Sequence, residues 1–358
     1  MISRRNFLHA LSASAVVAGA RIRPGLADTA SDAIHTSDTT LDWACQVIKT
    51  LPHNDAQRSP VVTGVALQNA GSLMAVVGDD HVVCLYDTVS EKFIEHLQRH
   101  TDWIRTAAFS PDGSRLATAG NDRLLMLWDV GKWDEPAVIE HHPEAIIQLT
   151  FSPDGTHLAC VGFDNWLRIY DVETGEELRK VDCPCGDMHG VAYSAEGQFL
   201  AVGGRCGNVR VFDTETYRQA YQFRAHRQRI RSLEFTSDQR LISAGDDQIV
   251  RVTELDKPER AAQLPRHAAK IYSTTLLNDG NIATAGSDNL IHVWQLEGMQ
   301  KAGTLKGHTG TVTSLAFGKG QLISGSYDTT VRVWSIERHV SAQPRQTDAG
   351  NGWNPAFK

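Results

Sequence analysis

The sequence predicts an all-β protein assembled from one unit that repeats about every 40 residues. Turns such as "FSPDG", at 109–113 and 151–155, precede short apolar segments. Final segments such as "VRVW" and "VRVF" are β-branched with a period of two, which excludes a helical solenoid. Each unit ends in an aromatic residue, except the fifth, and the seven end positions are Tyr86, Trp128, Tyr170, Phe212, Thr253, Trp294 and Trp334.

The end positions are separated by 42, 42, 42, 41, 41 and 40 residues. This period, with short alternating strands, is typical of a four-stranded antiparallel propeller blade, so we predict a seven-bladed β-propeller over residues 42–337. A ring of blades leaves an exposed strand edge unless its first and last strands share a blade. The segment "WACQVIKTL" (43–51) resembles later outer strands such as "MQKAGTLKGH". We therefore expect residues 44–51 to close the ring as the outermost strand of the last blade.

The N-terminal residues 1–27 resemble a bacterial twin-arginine export signal. The pair Arg4–Arg5 in "SRRNFL" precedes the mostly apolar stretch 6–20, and "GLA" forms a cleavage motif that ends at Ala27. The apolar stretch is shorter than the about 20 residues that span a bilayer. The resemblance implies cleavage near Ala27 and a soluble mature protein, periplasmic or otherwise exported, without a membrane span.

The remaining segments lie outside the propeller, and the net charge limits the class of partner. We expect residues 28–41 to be a linker and residues 338–358 to be a loose C-terminal tail. The 358-residue chain has a formal charge of −7, and removing residues 1–27 takes away four arginines and no acid, which gives −11. Because nucleic-acid binding needs a basic surface, this charge argues against a nucleic-acid partner.

The repeat resembles the WD-repeat β-propeller family over roughly residues 42–337, with unit ends such as "LWD" at 127–129. The resemblance implies a hydrogen-bonded tetrad of histidine, Ser or Thr, aspartate and tryptophan in each blade. We interpret these residues as structural, because a buried carboxylate is costly unless donors surround it. Three units supply all four types: His100, Thr118, Asp122 and Trp128; His267, Thr284, Asp288 and Trp294; and His308, Ser324, Asp328 and Trp334.

Other units depart from the tetrad pattern. The third has Cys160 at the hydroxyl position, the fifth has Thr253 at the aromatic position, and the first has Arg58 and Val76 at the histidine and hydroxyl positions. In the fourth, Cys206 occupies the aspartate position, and the histidine position falls within "CPC" at 183–185.

The histidine and aspartate of an intact tetrad touch, so the resemblance implies that Cys206 lies within bridging distance of Cys183 or Cys185. Bridged α-carbons are about 4.4–6.8 Å apart. An oxidising compartment favours a disulfide of Cys206 with one of these two cysteines. Two alternatives remain open from the sequence: three free thiols, or a soft-metal site of Cys183, Cys185 and Cys206.

The sequence contains no motif that points to catalysis. H-E-x-x-H, G-x-S-x-G, a phosphate loop and a haem-attachment C-x-x-C-H are all missing. We therefore predict no catalytic residues, no metal and no cofactor, and favour a protein-binding or scaffold module. The alternative is an exported propeller enzyme, a metal-assisted hydrolase or an oxidoreductase subunit, with reactive groups around the central channel.

The family resemblance also places the binding surface. It implies a top face built from the loops that lead into each blade and from the turns before the tetrad aspartates. Tryptophan, tyrosine and arginine dominate binding energy at buried interfaces. The basic residues among these positions predict a partner protein with an acidic segment, or an anionic ligand. The positions are Trp103, Arg227, Arg229 and Lys270 from the loops, and Asn121, Phe163, Arg205, Asp246 and Tyr327 from the turns.

Overall fold

The computed structural model describes residues 42–49, 59–90 and 92–337. The predicted export signal, linker and C-terminal tail lie outside these ranges. Within them, 28 strands form seven four-stranded antiparallel sheets. The prediction of an all-β, seven-bladed propeller is confirmed.

Six blades are contiguous in sequence, and their strands run outward from the channel in chain order, whereas blade 7 also uses the first strand. That strand is β1 (Asp42–Lys49). Blade 1 contains β2 (Val62–Leu67), β3 (Leu73–Gly78), β4 (Val82–Asp87) and β5 (Phe93–Gln98). Blade 2 contains β6 (Ile104–Phe109), β7 (Arg115–Gly120), β8 (Leu124–Asp129) and β9 (Lys132–His141). Blade 3 contains β10 (Ile146–Phe151), β11 (His157–Gly162), β12 (Trp166–Asp171) and β13 (Glu177–Asp182).

The remaining blades follow the same plan. Blade 4 contains β14 (Met188–Tyr193), β15 (Phe199–Gly204), β16 (Asn208–Asp213) and β17 (Gln219–Arg224). Blade 5 contains β18 (Ile230–Phe235), β19 (Leu241–Gly245), β20 (Val250–Thr253) and β21 (Ala262–Gln263). Blade 6 contains β22 (Ile271–Leu276), β23 (Asn281–Gly286), β24 (Ile291–Gln295) and β25 (Gln300–Leu305). Blade 7 contains β26 (Val312–Gly318), β27 (Gln321–Ser326), β28 (Thr330–Glu337) and β1.

Burial along a strand follows its place in the blade. The second strands, such as β7 ("RLATAG"), are buried at five of six positions because neighbouring blades cover both of their faces. An outer strand such as β17 ("QAYQFR") is exposed at four positions and alternates between polar and aromatic residues. A continuous apolar run therefore marks a middle strand, and an alternating run marks an outer strand.

The core of the described ring consists of seven apolar clusters, each shared by two adjacent blades. One of them packs Trp128 and Leu116 of blade 2 against Leu85 of blade 1. Another packs Ile323 of blade 7 against Met74 of blade 1 by the same kind of contact. Burial of these side chains holds each blade to its neighbours around the whole ring.

Blade 7 takes its outermost strand from the N-terminal side of the propeller. Strand β1 pairs antiparallel with β28, and Cys45 lies opposite Trp334. The paired residues are Asp42–Lys49, two positions before the predicted segment 44–51. What this pairing contributes to the stability of the ring stays a prediction.

The seven inner strands line a central cavity of about 450 Å³. The helical segments in the described ranges are two 3₁₀ turns, Pro258–Arg260 and Asn278–Gly280. Neither has the length or apolar character that crossing a membrane requires.

Candidate functional site

In blade 2 the four expected tetrad residues form one chain of hydrogen bonds. His100 Nδ1 donates to Asp122 Oδ2 at 2.7 Å, and Nε2 lies 2.8 Å from Thr118 Oγ1. Trp128 Nε1 donates to the same hydroxyl oxygen at 2.9 Å. The backbone N–H of Thr101 donates to the same carboxylate at 3.0 Å. Burial acts to raise the pKa of Asp122, but the hydrogen bond and charge of His100 outweigh it, so the pKa is lowered. These polar side chains therefore bond to one another and stabilise the blade.

Blade 7 repeats this arrangement with a serine at the hydroxyl position. His308 lies 2.8 Å from Asp328 through Nδ1 and 2.7 Å from Ser324 through Nε2, and Trp334 Nε1 donates to Ser324 at 2.8 Å. The backbone N–H of Thr309 donates to Asp328 at 2.9 Å. Burial again acts to raise the pKa of Asp328, and its hydrogen bonds lower it well below the usual range.

Blade 6 does not form the complete tetrad that its residue types predict. His267 Nε2 and Trp294 Nε1 both reach Thr284 Oγ1, at 2.8 and 3.0 Å. Asp288, however, bonds His292 Nε2 at 2.8 Å, and in the described residues His267 Nδ1 is buried without a hydrogen-bond partner. Desolvation, followed by the nearby His292, lowers the pKa of His267 to about 4. The tetrad is interrupted because a second imidazole competes for the carboxylate.

In blade 3 an arginine, in place of the histidine, donates to the tetrad aspartate. Arg168 Nη1 donates to Asp164 Oδ2 at 2.6 Å, while His142 Nε2 lies 3.0 Å from the Tyr170 hydroxyl. Cys160 Sγ is 3.9 Å from the same imidazole nitrogen. The charged pair replaces the histidine–aspartate bond of an intact blade.

Blade 4 contains the disulfide predicted for Cys206, and its partner is Cys185. The α-carbons are 5.4 Å apart, and 21 positions separate the two residues in sequence. Cys183 is a buried thiol, and burial raises its pKa to about 11, which keeps it protonated. The three-cysteine metal site is not what the structure has, because two of its three sulfurs are bonded to each other.

The backbone just before each inner strand is held close to the turn between the second and third strands. In blade 2 this turn follows Gly120, where a Cβ would lie 2.1 Å from the carbonyl oxygen of Trp103. That carbonyl accepts the backbone N–H of Asn121 at 2.8 Å. In blade 2 the missing Cβ permits this approach, which places a loop residue and a turn residue side by side at the mouth of the channel.

An arginine of blade 2 connects these two residues. Arg105, the second residue of β6, places its guanidinium carbon 4.9 Å from the centre of the Trp103 ring. Its Nε donates to Asn121 Oδ1 at 2.8 Å. Burial lowers the pKa of Arg105, and the charges of Tyr327 and Asp102 act in the opposite direction. The side chain is thus held between a ring and an amide, with its charge retained.

Blade 5 presents an arginine at the equivalent position. Arg231 Nε donates to Asp246 Oδ1 at 2.9 Å, and Nη2 donates to Oδ2 at 3.3 Å. Its guanidinium carbon lies 5.0 Å from the centre of the Tyr272 ring of blade 6. Such a two-point ion pair fixes the planar group and neutralises it.

A second ion pair connects blade 4 to blade 5 beside it. Arg229 Nη2 contacts Asp187, whose other oxygen accepts from His189 Nε2 at 2.8 Å. Phe163 of blade 3 meets the His189 ring edge-on, with centroids 6.1 Å apart. Burial lowers the pKa of His189 despite the nearby carboxylate.

Tyr327 of blade 7 completes this surface. Tyr327 is 42% exposed. Burial of the hydroxyl raises the pKa of Tyr327, and the charges of Arg105 and Arg231 act to lower it. The phenol is therefore close to arginines of two other blades. We call the following set the channel-mouth cluster: Trp103, Arg105, Asn121, Phe163, Asp187, His189, Arg229, Arg231, Asp246, Tyr272 and Tyr327.

The structure separates the nine sequence-predicted top-face residues into two groups. Six belong to the channel-mouth cluster: Trp103, Asn121, Phe163, Arg229, Asp246 and Tyr327. The side chains of Arg205, Arg227 and Lys270 are exposed and make no ion pair with the described residues.

Sequence reasoning missed the other five members of the cluster. Four of them have a positional signal, since they are the second residue of an inner strand, where the strand enters the channel: Arg105, His189, Arg231 and Tyr272. The fifth, Asp187, precedes β14 at the position that Trp103 and Arg229 occupy in their blades. The second position of each inner strand is therefore the signal that would have pointed to the first four.

Comparison with known proteins agrees with this architecture. The family model described as WD domain, G-beta repeat matches six segments: 91–129, 133–171, 175–213, 217–253, 259–295 and 299–335. No curated protein matches the chain. The six segments together cover more than half of the sequence and coincide with the repeats that build the propeller. The chain therefore belongs to the WD40 repeat family.

Proposed function

We propose that this WD40 propeller is an exported module that binds another protein through the channel-mouth cluster. The observation that carries the proposal is that Trp, Phe, Tyr and Arg side chains from five blades (2, 3, 5, 6 and 7) are joined on one continuous surface with Asp187 and His189 of blade 4. These are the residue types that contribute most binding energy when a partner buries them. A WD40 propeller fold is consistent with a protein-interaction module.

Two large apolar residues of the cluster are presented to solvent. Phe163 is 45% exposed and Tyr327 is 42% exposed. Both are in turns between the second and third strands of their blades, at the same end of the channel. Single exposed apolar residues are common, but their grouping with Trp103 around one opening favours a binding role.

The cluster is also pre-organised by its own contacts. Arg105, Arg229 and Arg231 are each held by a hydrogen bond or an ion pair to a neighbouring side chain. Binding therefore orders few side chains, and each rotamer-rich side chain that is fixed in advance saves about 0.5–1.5 kcal/mol of ordering cost. A rigid face of this kind suits a protein partner.

The charges around the cluster favour an acidic partner segment. Arg205, Arg227 and Lys270 are exposed beside it and have no ion pair in the described part of the chain. Their charges are free to attract an approaching acidic segment, and salt would screen this attraction. Arg229 contributes less than its sequence position predicts, because Asp187 already pairs with it.

A photo-crosslinking residue tests the face. Benzoylphenylalanine in place of Phe163 should capture a protein partner in cells of the source organism. The same residue in place of Val89, which is 81% exposed in the turn between β4 and β5 at the opposite end of its blade, should not capture it. Equal capture from both positions, or capture from position 89 alone, would contradict the proposed face.

The export part of the proposal is supported by the N-terminal sequence and by the Cys185–Cys206 disulfide, since disulfides persist in oxidising compartments. Replacing Arg4 and Arg5 by lysine should retain the precursor in the cytoplasm. The retained protein should have alkylatable Cys206, whereas the exported protein should give a peptide pair linked through Cys185 and Cys206. Normal export of the double-lysine form would refute the twin-arginine route.

A further inference from the structure

Blades 2 and 5 place an arginine at the same position of the repeat, but they partner it differently. In blade 5 the turn residue that faces Arg231 is Asp246, and two charged hydrogen bonds join them. In blade 2 the equivalent turn residue is Asn121, and a single bond from Arg105 Nε reaches its amide oxygen at 2.8 Å. The amide orients the guanidinium as the carboxylate does, without neutralising it.

No carboxylate within ion-pair distance compensates Arg105 in the described residues. The charge of Asp102 acts to raise the pKa of Arg105 without an ion pair, and Asp102 is itself bonded to the backbone N–H of Trp103 at 2.7 Å. The guanidinium is partly buried, so its charge has lost part of its hydration. A charge in this state gains most from a ligand of opposite sign.

The remaining donors of Arg105 are available for such a ligand. Nε is used by Asn121, and Nη1 and Nη2 have no hydrogen-bond partner among the described residues. Arg105 lines the central cavity together with Thr63, Arg231 and Tyr272. The Trp103 ring lies 4.9 Å from the guanidinium carbon and Asn121 holds Nε, which leaves Nη1 and Nη2 for a ligand. In-plane approach to two N–H donors is the geometry in which arginine binds a carboxylate.

We propose that Arg105 receives one carboxylate side chain, an aspartate or a glutamate of the protein partner, that enters the channel mouth and is bound by Nη1 and Nη2. The proposal rests on the proposed function, since it assumes that a protein binds at this face. It assigns specificity to blade 2, and it assigns to Asp246 of blade 5 the opposite role of keeping Arg231 closed to acidic groups.

The matched variants exchange the two partners of the arginines. Asn121→Asp gives blade 2 the ion pair of blade 5, and Asp246→Asn gives blade 5 the amide of blade 2. The probe is a phage-displayed library of random 12-residue peptides, selected on the purified wild-type protein. The best peptide is then synthesised with a fluorescent label, with its acidic residue either intact or replaced by the corresponding amide, and binding is measured by fluorescence anisotropy.

Wild-type selection should enrich peptides with an acidic residue at one fixed position, and the amide version should bind about tenfold or more weakly. Asn121→Asp and Arg105→Gln should each remove this discrimination between the two peptides. Asp246→Asn should retain the discrimination, or extend it to a second acidic position. Melting temperatures near that of the wild type would show that the variants are folded.

Three outcomes would overturn the proposal: enrichment of peptides without an acid, unchanged discrimination in Asn121→Asp, or a library that yields no peptide. If peptides still lose affinity for Tyr327→Ala in either of the first two cases, the face is correct and only the role of Arg105 is wrong. If binding is unchanged in both Tyr327→Ala and Phe163→Ala, the peptides bind elsewhere and the proposed function fails as well.

Discussion

Blades 6 and 7 have the same four tetrad residue types at matching positions, yet only blade 7 completes the network. In blade 7, Asp328 accepts from His308, from two backbone N–H groups and from the Thr330 hydroxyl. In blade 6, Asp288 accepts from His292 and from one backbone N–H. Residue types at the right spacing therefore do not by themselves determine which side chain donates to the tetrad aspartate.

The difference comes from the residue two positions before the tryptophan. In blade 6 this residue is His292, whose Nε2 lies 2.8 Å from Asp288. In blade 7 it is Arg332, which donates to the backbone carbonyl of Gly307 at 2.8 Å and leaves the aspartate to the histidine. In blade 2 it is Met126, which cannot form such a bond. The comparison teaches that a neighbour on the third strand can redirect a tetrad.

The largest expected effect concerns chain connectivity, because blade 6 is contiguous in sequence and blade 7 is not. Deleting residues 28–52 removes β1 and leaves β28 as an unpaired edge, so we expect aggregation and loss of a cooperative melting transition. Deleting only residues 28–41 keeps β1 and should give a monodisperse protein by size-exclusion chromatography. A soluble 28–52 deletion with native melting would show that the strand is dispensable.

Removing each aspartate should break blade 7 more severely than blade 6. Asp328→Ala leaves His308 and two backbone donors without their acceptor, and we expect it to lower the free energy of unfolding by about 2–4 kcal/mol. Asp288→Ala should cost about 1–2 kcal/mol, since fewer donors are lost. Chemical denaturation of the two variants measures both values. Equal losses would mean that the bond to His292 is worth as much as a complete tetrad.

The junctions on the two sides of blade 6 should differ in their response to pH. At the blade 5 side, both oxygens of Glu234 lie 3.0 Å from the backbone N of Leu276, and burial raises the pKa of Glu234 from 4.5 to about 7. The folded state thus holds this proton more tightly than the unfolded state, so the free energy of unfolding should fall as pH rises from about 4.5 to about 7.

Glu234→Gln should remove that dependence and stabilise the protein at pH 8 by on the order of 1–2 kcal/mol, with little effect at pH 4. At the blade 7 side, Ser273 Oγ accepts from the backbone N–H of Leu315 at 3.1 Å, and Ser273→Ala serves as a control that should leave the pH profile unchanged in shape. Urea denaturation between pH 4 and pH 8 gives the profiles. A Glu234→Gln profile parallel to that of the wild type would contradict the raised pKa.

The smallest expected effect sharpens the comparison by repairing blade 6. His292→Met gives blade 6 the residue of blade 2 and frees Asp288 for His267, so we expect a gain of about 1 kcal/mol in the free energy of unfolding. The reciprocal change Met126→His should draw Asp122 away from His100 and destabilise by a similar amount. The NMR signal of the His267 Nδ1 proton would report the new bond, and its absence would refute the competition between the imidazoles.

The fold could be predicted from the sequence because the repeat consists of short local patterns that each specify one strand or turn. Alternating strands, apolar middle strands and the seven end positions such as Trp128 and Trp294 predict the blades directly. Cys206 in the aspartate position likewise predicted its disulfide, since the tetrad geometry brings that position near the "CPC" segment. The blades needed only the period and the strand pattern, whereas the disulfide also needed the family resemblance, which implies the tetrad.

The side-chain partners at the channel mouth could not be predicted in the same way. Arg229 was predicted to attract an acidic partner segment, but Asp187 of the preceding blade pairs with it across 42 residues of sequence. Arg105 and Arg231 fall within strands, where the alternating pattern reads them only as polar positions. Which blade faces which around a ring, and which of two nearby groups reaches a carboxylate first, is decided by tertiary packing.

The pairing of β1 with β28 determines when, during biosynthesis, the ring can close. Ribosomes add about 5–20 residues per second, so the first strand exists for roughly 15 to 60 s before its partner has been made. Throughout this interval the growing chain carries an unpaired strand at one end and an incomplete ring at the other. The propeller can therefore reach its final form only after residues 330–337 have been made, and a chain that stops before Thr330 can never reach it.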